Sequence, residues 1–129
     1  ADLRERGFDL YPAPLSRFDW LKIVPSTLTK EFFTADLRPG KALAFFYTAL
    51  DQAFASVEAD YGTDVPVAVL GHSIGGWVAR SYIGEVMGAE VAASRVSSLV
   101  TLGTPHNAPP EDSLVAALDQ TRGLLTYIN

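Results

Sequence analysis

The sequence contains no cysteine, which excludes disulfide bonds and metal sites built from thiolates. Only two histidines occur, His72 and His106, and their wide separation along the chain predicts no metal site. No glycine-rich phosphate loop of the type G-x-x-x-x-G-K is present. We therefore infer no cofactor. The absence of cysteine does not by itself indicate a compartment.

Positive charge is also scarce, because 10 Lys and Arg stand against 15 Asp and Glu, for a formal net charge of −5. The basic residues are scattered and form no stripe, which argues against a nucleic-acid partner. No apolar run has the length of a membrane span, and no signal-peptide pattern is present. With 48% hydrophobic residues among 129, the chain is globular and long enough for one domain with a core.

The first seven residues predict the last turn of a helix, with Gly7 placed to cap it. The sequence thus opens inside an element, and its first residue is Ala1 and not Met. Both features lead us to expect a fragment or a processed chain. We find no repeat and no linker, so we predict one partial domain over residues 1–129.

The rest of the pattern alternates apolar runs with amphipathic segments. Strands are predicted over residues 8–11, 67–70 and 96–102, and longer helices over residues 41–61 and 75–87. Residues 25–40 are predicted to be irregular, and two short helices are predicted over residues 111–118 and 121–128. Continuous apolar strands that alternate with helices predict an α/β fold, in which a parallel sheet has helices on both faces.

One segment, residues 65–76, reads V-P-V-A-V-L-G-H-S-I-G-G and joins a strand to a helix through a serine. A G-x-S-x-G turn in this context is typical of a nucleophile elbow, with Ser73 on a strained turn and its hydroxyl exposed. Gly71 and Gly75 are expected where side chains would collide between the strand and the helix. The alternative interpretation is a glycine-rich turn that joins a strand to a helix and has no catalytic role.

The other elbow positions are His72, Ile74 and Gly76. The new helix begins beneath the serine, so its first amides point to the place where an oxyanion would form. The N–H of Ile74 is therefore the predicted oxyanion donor. The side chain of His72 is expected to point away from the adjacent hydroxyl, which favours a packing or hydrogen-bonding role over a role as base.

Two segments carry a resemblance to a known superfamily. Residues 71–80, G-H-S-I-G-G-W-V-A-R, resemble the G-H-S-x-G-G-x-x-A-R elbow of lipase-like α/β-hydrolases. Residues 101–106, T-L-G-T-P-H, resemble the segment that follows it in the same lipases and in the inositol-deacylase-like group. Residues 17–21 and 119–125 are similar to segments of a plant and algal α/β-hydrolase group that is often assigned to plastids. The resemblance implies an α/β-hydrolase fold, incomplete at both ends, in a plastid or the cytoplasm.

The resemblance also implies a serine hydrolase that acts on carboxylic, lipid-like esters through an acyl-enzyme on Ser73. The family's triad runs Ser, Asp, His along the chain, so the acid and the base would follow Asn129. The second oxyanion amide would precede Ala1, which leaves a vacant strand position between residues 8–11 and 67–70. The fragment alone is therefore expected to be inactive. The implied partner is a small ester or lipid, and peripheral membrane contact stays open.

Several alternatives stay open at this point. The same serine could serve an acyltransferase, or the elbow could be kept for its fold in a non-catalytic module or remnant. His106 follows the C-terminal end of a strand, where sites form in open sheets, so it could line the site. We favour a loop-shaping role for it over a role as base. Asp112 and Asp119 are the nearest downstream acids and are interpreted as structural rather than as the triad acid.

Overall fold

The computed structural model describes residues 2–16, 40 and 43–107. After a 3₁₀ turn at Arg4–Arg6, the elements are helix α1 (Ala44–Tyr61), strand β1 (Val67–His72), helix α2 (Ile74–Ser81), a π-helical segment (Tyr82–Met87), helix α3 (Ala89–Arg95) and strand β2 (Val96–Leu102). The helices predicted over residues 111–118 and 121–128 lie outside the described residues. So does the irregular segment predicted over residues 25–40, except for Gly40.

The two strands form a parallel sheet, with Val69 opposite Leu99 and His72 opposite Leu102. Because the strands are parallel and in register, both end at the same edge of the sheet. This arrangement confirms the predicted α/β fold with a parallel sheet and helices, and the bounds of β2 are those that the sequence predicts. β1 extends the predicted strand by two residues, into the turn that follows it.

The core lies between the helices and one face of the sheet. It is built from buried residues of α1, α2 and the π-helical segment, together with Leu43, and the strand residues Val67, Val69 and Val96 pack against it. The opposite face carries Leu70, Val100 and Leu102, which are about half exposed. The described helices cover one face of the sheet, and the described residues do not test the predicted helices on the other face.

Helix α1 forms because its apolar residues recur every three or four positions and so share one face. Phe46, Tyr47, Phe54 and Val57 are buried, as the pattern predicts. Gly62 ends the helix, and its N–H donates to the carbonyl of Glu58 at 2.8 Å. No helix among residues 2–16 and 43–107 has the length and apolar character needed to cross a bilayer.

The strand predicted over residues 8–11 is not formed, so that prediction was wrong. The segment pairs with α1 through side chains instead of joining the sheet through its backbone. The hydroxyl of Tyr11 donates to Asp60 at 2.5 Å, and the hydroxyl of Tyr61 donates to Asp9. The two tyrosine rings meet edge to face, with centroids 6.4 Å apart. These reciprocal contacts hold the segment at the C-terminal end of α1.

A cavity of about 480 Å³ separates this N-terminal segment from β1. Residues 9–13 line one side of it, residues 67–70 line another, and Leu50, Ala53 and Val57 of α1 contribute apolar surface. Among the described residues, β1 pairs only with β2. The space therefore lies beside the edge of β1 that pairs with no strand in the described part of the chain.

Helix α3 was not predicted, although Ala and Glu in its sequence favour a helix. It is too short to show an apolar period, and Gly88 reads only as the end of the preceding helix. Its last residue, Arg95, forms an ion pair with Glu58 of α1. The guanidinium also lies over the ring of Phe54, with its carbon 5.8 Å from the ring centroid. These contacts fix α3 against α1.

Two glycines allow α2 to approach the sheet closely. A Cβ atom added to Gly71 would lie 2.5 Å from the Cα atom of Gly76, so a side chain at Gly71 would collide with the backbone of α2. A Cβ atom added to Gly76 would lie 2.9 Å from a methyl carbon of Thr101 and would also overlap Thr104. A Cβ atom added to Gly75 meets no heavy atom of the described residues within 4 Å. The predicted collision therefore holds for Gly71, was wrong for Gly75, and occurs instead at Gly76.

We expect Gly71→Ala to lower the free energy of unfolding by about 3 kcal/mol, because overpacking against rigid backbone cannot be relieved by a rotamer change. The same substitution at Gly76 should cost about 2 kcal/mol, since the Thr104 side chain can move in part. Gly75→Ala is the matched control and should be neutral or stabilising by up to about 1 kcal/mol, because alanine favours the helix. Urea unfolding measures all three. Equal losses at Gly75 and Gly71 would contradict the packing argument.

Tyr82 links the π-helical segment to α1. Its ring is buried and stacks on Phe54, and its hydroxyl donates to Asp51 at 2.5 Å. Burial and the hydrogen bond to the Asp51 carboxylate both raise the pKa of Tyr82. The folded state thus favours the protonated phenol more strongly than the unfolded chain does.

The contribution of Tyr82 to stability should therefore be complete below about pH 10 and should be lost as the pH rises further. We expect Tyr82→Phe to be less stable than the wild type at pH 8 but to show a smaller drop in unfolding free energy between about pH 9 and pH 11. Urea unfolding at several pH values, followed by tryptophan fluorescence, checks this. Identical drops in the two proteins would show that the phenol does not titrate with unfolding.

Candidate active site

Ser73 lies at the junction between β1 and α2. Its φ of 53° and ψ of −130° make it the one non-glycine residue with positive φ among the described residues. Such a conformation costs on the order of 1–3 kcal/mol and persists only where the surroundings fix it. Ser73 is exposed, and its hydroxyl forms no hydrogen bond with any described residue. The strained turn thus presents the hydroxyl at the edge of the sheet where both strands end.

Three hydrogen bonds fix the backbone of Ser73. Its N–H donates to the carbonyl of Leu102, the last residue of β2, at 2.8 Å. Its own carbonyl accepts from the N–H of Gly76 at 3.1 Å and from the hydroxyl of Thr104 at 2.8 Å. β2 and the loop after it therefore hold the residue from one side, and α2 holds it from the other.

Helix α2 begins at Ile74, directly after Ser73. The N–H groups of Ile74 and Gly75 donate to no backbone acceptor among the described residues, as is usual in the first turn of a helix. The helix dipole adds a partial positive charge at the same end. The amide of Ile74 directly follows Ser73, so an oxyanion formed at the serine could accept its hydrogen bond.

His72 is the last residue of β1 and is exposed. No hydrogen bond joins its ring to Ser73 among the described residues. Successive side chains of a strand point to opposite faces, and the turn then redirects Ser73. The structure therefore gives His72 no contact through which it could act as a base on the adjacent hydroxyl.

His106 is partly buried and links α2 to β2. Its Nδ1 atom lies 3.3 Å from Nη1 of Arg80, and its Nε2 atom lies 3.0 Å from the hydroxyl oxygen of Thr101. A guanidinium can only donate, so Nδ1 accepts and the proton is assigned to Nε2, which donates to Thr101. Both ring nitrogens are thus engaged away from Ser73. This arrangement fits a loop-shaping role.

Asp112 and Asp119 lie outside the described residues. Trp77 is buried in the core. Among residues 2–16 and 43–107, no three His, Asp or Glu side chains lie close enough together to hold a metal ion.

Thr104 is the site residue to which the sequence analysis assigned no role. The sequence did point to its neighbourhood, since Thr104 belongs to the T-L-G-T-P-H segment at the end of a predicted strand. The contact to the carbonyl of Ser73 spans 31 residues of sequence and depends on the pairing of β1 with β2. Local sequence patterns therefore indicate the segment but not the contact, because the two residues are brought together only by the sheet.

The described site thus combines an exposed hydroxyl, two helix amides that have no backbone acceptor among the described residues, and three hydrogen bonds that hold the backbone of Ser73. A family model for the PGAP1-like alpha/beta domain matches residues 31–121, which include β1, Ser73, α2 and β2. Comparisons with curated proteins and with solved structures found no match. The family match covers more than half of the chain and agrees with the parallel sheet and helices described above. The chain therefore belongs to the PGAP1-like alpha/beta domain family, an α/β-hydrolase-like family.

Proposed function

We propose that the protein is a serine hydrolase that cleaves carboxylic esters, with Ser73 as its nucleophile. The observation that carries this proposal is the strained, positive-φ backbone of Ser73 between a strand and a helix, with the hydroxyl exposed. Strain of this kind is retained where it serves a site, and here it turns one hydroxyl away from the sheet. Membership in an α/β-hydrolase-like family supports the same reaction class.

In the proposed reaction the oxygen of Ser73 attacks the ester carbonyl and gives its proton to a base. The carbonyl oxygen becomes an oxyanion and accepts the N–H of Ile74. The protonated base then gives this proton to the leaving oxygen, and cleavage of the C–O bond releases the alcohol and leaves an acyl group on Ser73. Water then hydrolyses this acyl-enzyme. The base and its acid partner are proposed to come from residues other than the described ones, since no described histidine contacts Ser73.

The substrate that we propose is a carboxylic ester, and lipid-like esters are the first class to test. This choice rests on the resemblance of the elbow and of T-L-G-T-P-H to lipase segments. Transfer of the acyl group to an acceptor other than water would use the same acyl-enzyme. Product analysis on the intact protein separates the two reactions, because only hydrolysis releases the free acid without an added acceptor.

A fluorophosphonate probe tests the nucleophile directly, because it forms a stable bond only with an activated serine. We expect the intact protein to be labelled and Ser73→Ala to lose the label. Ser94→Ala is a matched control, because Ser94 is also exposed but bonds a helical carbonyl, and it should be labelled like the wild type. Labelling of Ser73→Ala at the wild-type level would remove Ser73 from the mechanism.

The contacts of His106 lead to a second expectation. Since its ring bonds Arg80 and Thr101 and not the hydroxyl, His106→Gln should slow labelling by less than about tenfold, whereas loss of a catalytic base costs about 10²–10⁴-fold. The rate constant of fluorophosphonate labelling, measured on the intact protein, distinguishes the two. A loss near that of Ser73→Ala would identify His106 as the base and contradict its assignment here.

A further inference from the structure

We propose that Thr104 is a positioning residue for Ser73 and for the oxyanion donor, an inference that rests on the proposed function. The hydroxyl of Thr104 donates to the carbonyl oxygen of Ser73 at 2.8 Å. The Thr104 side chain also lies against Gly76, since a Cβ atom added to that glycine would be 2.8 Å from the Thr104 methyl carbon. Thr104 therefore contacts the elbow at two points.

The carbonyl that Thr104 holds belongs to the same peptide unit as the N–H of Ile74. A peptide unit is planar and trans, so its carbonyl and its N–H point in opposite directions along fixed lines. A hydrogen bond that fixes the oxygen of Ser73 therefore also fixes the direction of the Ile74 N–H. Thr104 binds the carbonyl side of this peptide unit and so sets the direction of the Ile74 N–H, the proposed oxyanion donor, on the other side.

The segment that precedes Thr104 also contacts the elbow. Leu102, at the end of β2, accepts the N–H of Ser73 at 2.8 Å. Gly103 follows with a φ of +58°, a left-handed conformation that glycine adopts easily, and this bend comes directly before Thr104. Strand β2 thus binds the N–H of Ser73 through Leu102, and the loop that follows it binds the carbonyl of Ser73 through Thr104.

The contribution of Thr104 should be partial, because the N–H of Gly76 also donates to the Ser73 carbonyl, at 3.1 Å. Loss of one of two hydrogen bonds leaves the peptide unit held but less well aimed. We therefore expect a loss of about tenfold in the rate of the chemical step, with little change in binding of the probe.

The test measures fluorophosphonate labelling of the intact protein, separated into the maximal rate kinact and the half-saturating concentration KI. For Thr104→Val we expect kinact to fall about tenfold and KI to stay within about twofold. Thr104→Ser keeps the hydroxyl and should recover kinact to within about threefold of the wild type. Thr48→Val removes a similar side-chain hydrogen bond to a carbonyl, that of Ala44 in exposed α1 surface, and should leave kinact unchanged.

Melting curves of all variants separate positioning from stability, because a purely structural role would change the melting temperature without changing kinact of the folded protein. If Thr104→Val does not fold, the pair Thr104→Ser and Thr104→Ala replaces it, since these two variants differ only in the hydroxyl. A kinact that is the same with and without the hydroxyl would overturn the inference while leaving the proposed function intact. Absence of Ser73-dependent labelling in the wild type would overturn both.

Discussion

The structure depends on one strained residue that is held between two elements. Ser73 adopts a backbone conformation with positive φ at the point where β1 ends and α2 begins, and a residue with a side chain rarely does so without support. The support comes from the end of β2 and the loop behind it, through Leu102 and Thr104, and from the first turn of α2, through Gly76. The pairing of the two parallel strands therefore decides the conformation of a residue that belongs to neither of them. Without that pairing, the G-x-S-x-G sequence would be a flexible turn.

Close packing at the junction complements these hydrogen bonds. α2 can begin beneath Ser73 only because Gly71 and Gly76 let backbone approach backbone. This approach brings the helix amides to the edge of the sheet, where the hydroxyl is exposed and where an anion could accept from them. The third glycine of the elbow, Gly75, is not needed for this close approach. A Cβ atom added to it would contact no heavy atom of the described residues within 4 Å.

Much of this arrangement could be predicted from local patterns. The apolar period of α1, the apolar run of β2 and the glycine-flanked serine all report on neighbours in sequence, and each was located correctly. The segment at residues 8–11 was not, because Phe8, Leu10 and Tyr11 have strand propensity but strand formation needs a paired neighbour. Here the tyrosine hydroxyls bond carboxylates at the end of α1, and the backbone stays outside the sheet. Helix α3 was missed because seven residues are too few to show a helical period.

The sequence by itself determined helix α1 with its apolar face, strand β2 and the serine on which the proposed chemistry rests, because periodicity and turn residues act over a few neighbours. Only the tertiary structure decided which glycines are required, that His106 bonds Arg80 and Thr101, and that Thr104 holds the carbonyl of Ser73. The physical reason is distance along the chain. The contact between Thr104 and Ser73 joins residues 31 positions apart, and it exists only after parallel pairing of β1 and β2 has brought the two strand ends to one edge of the sheet.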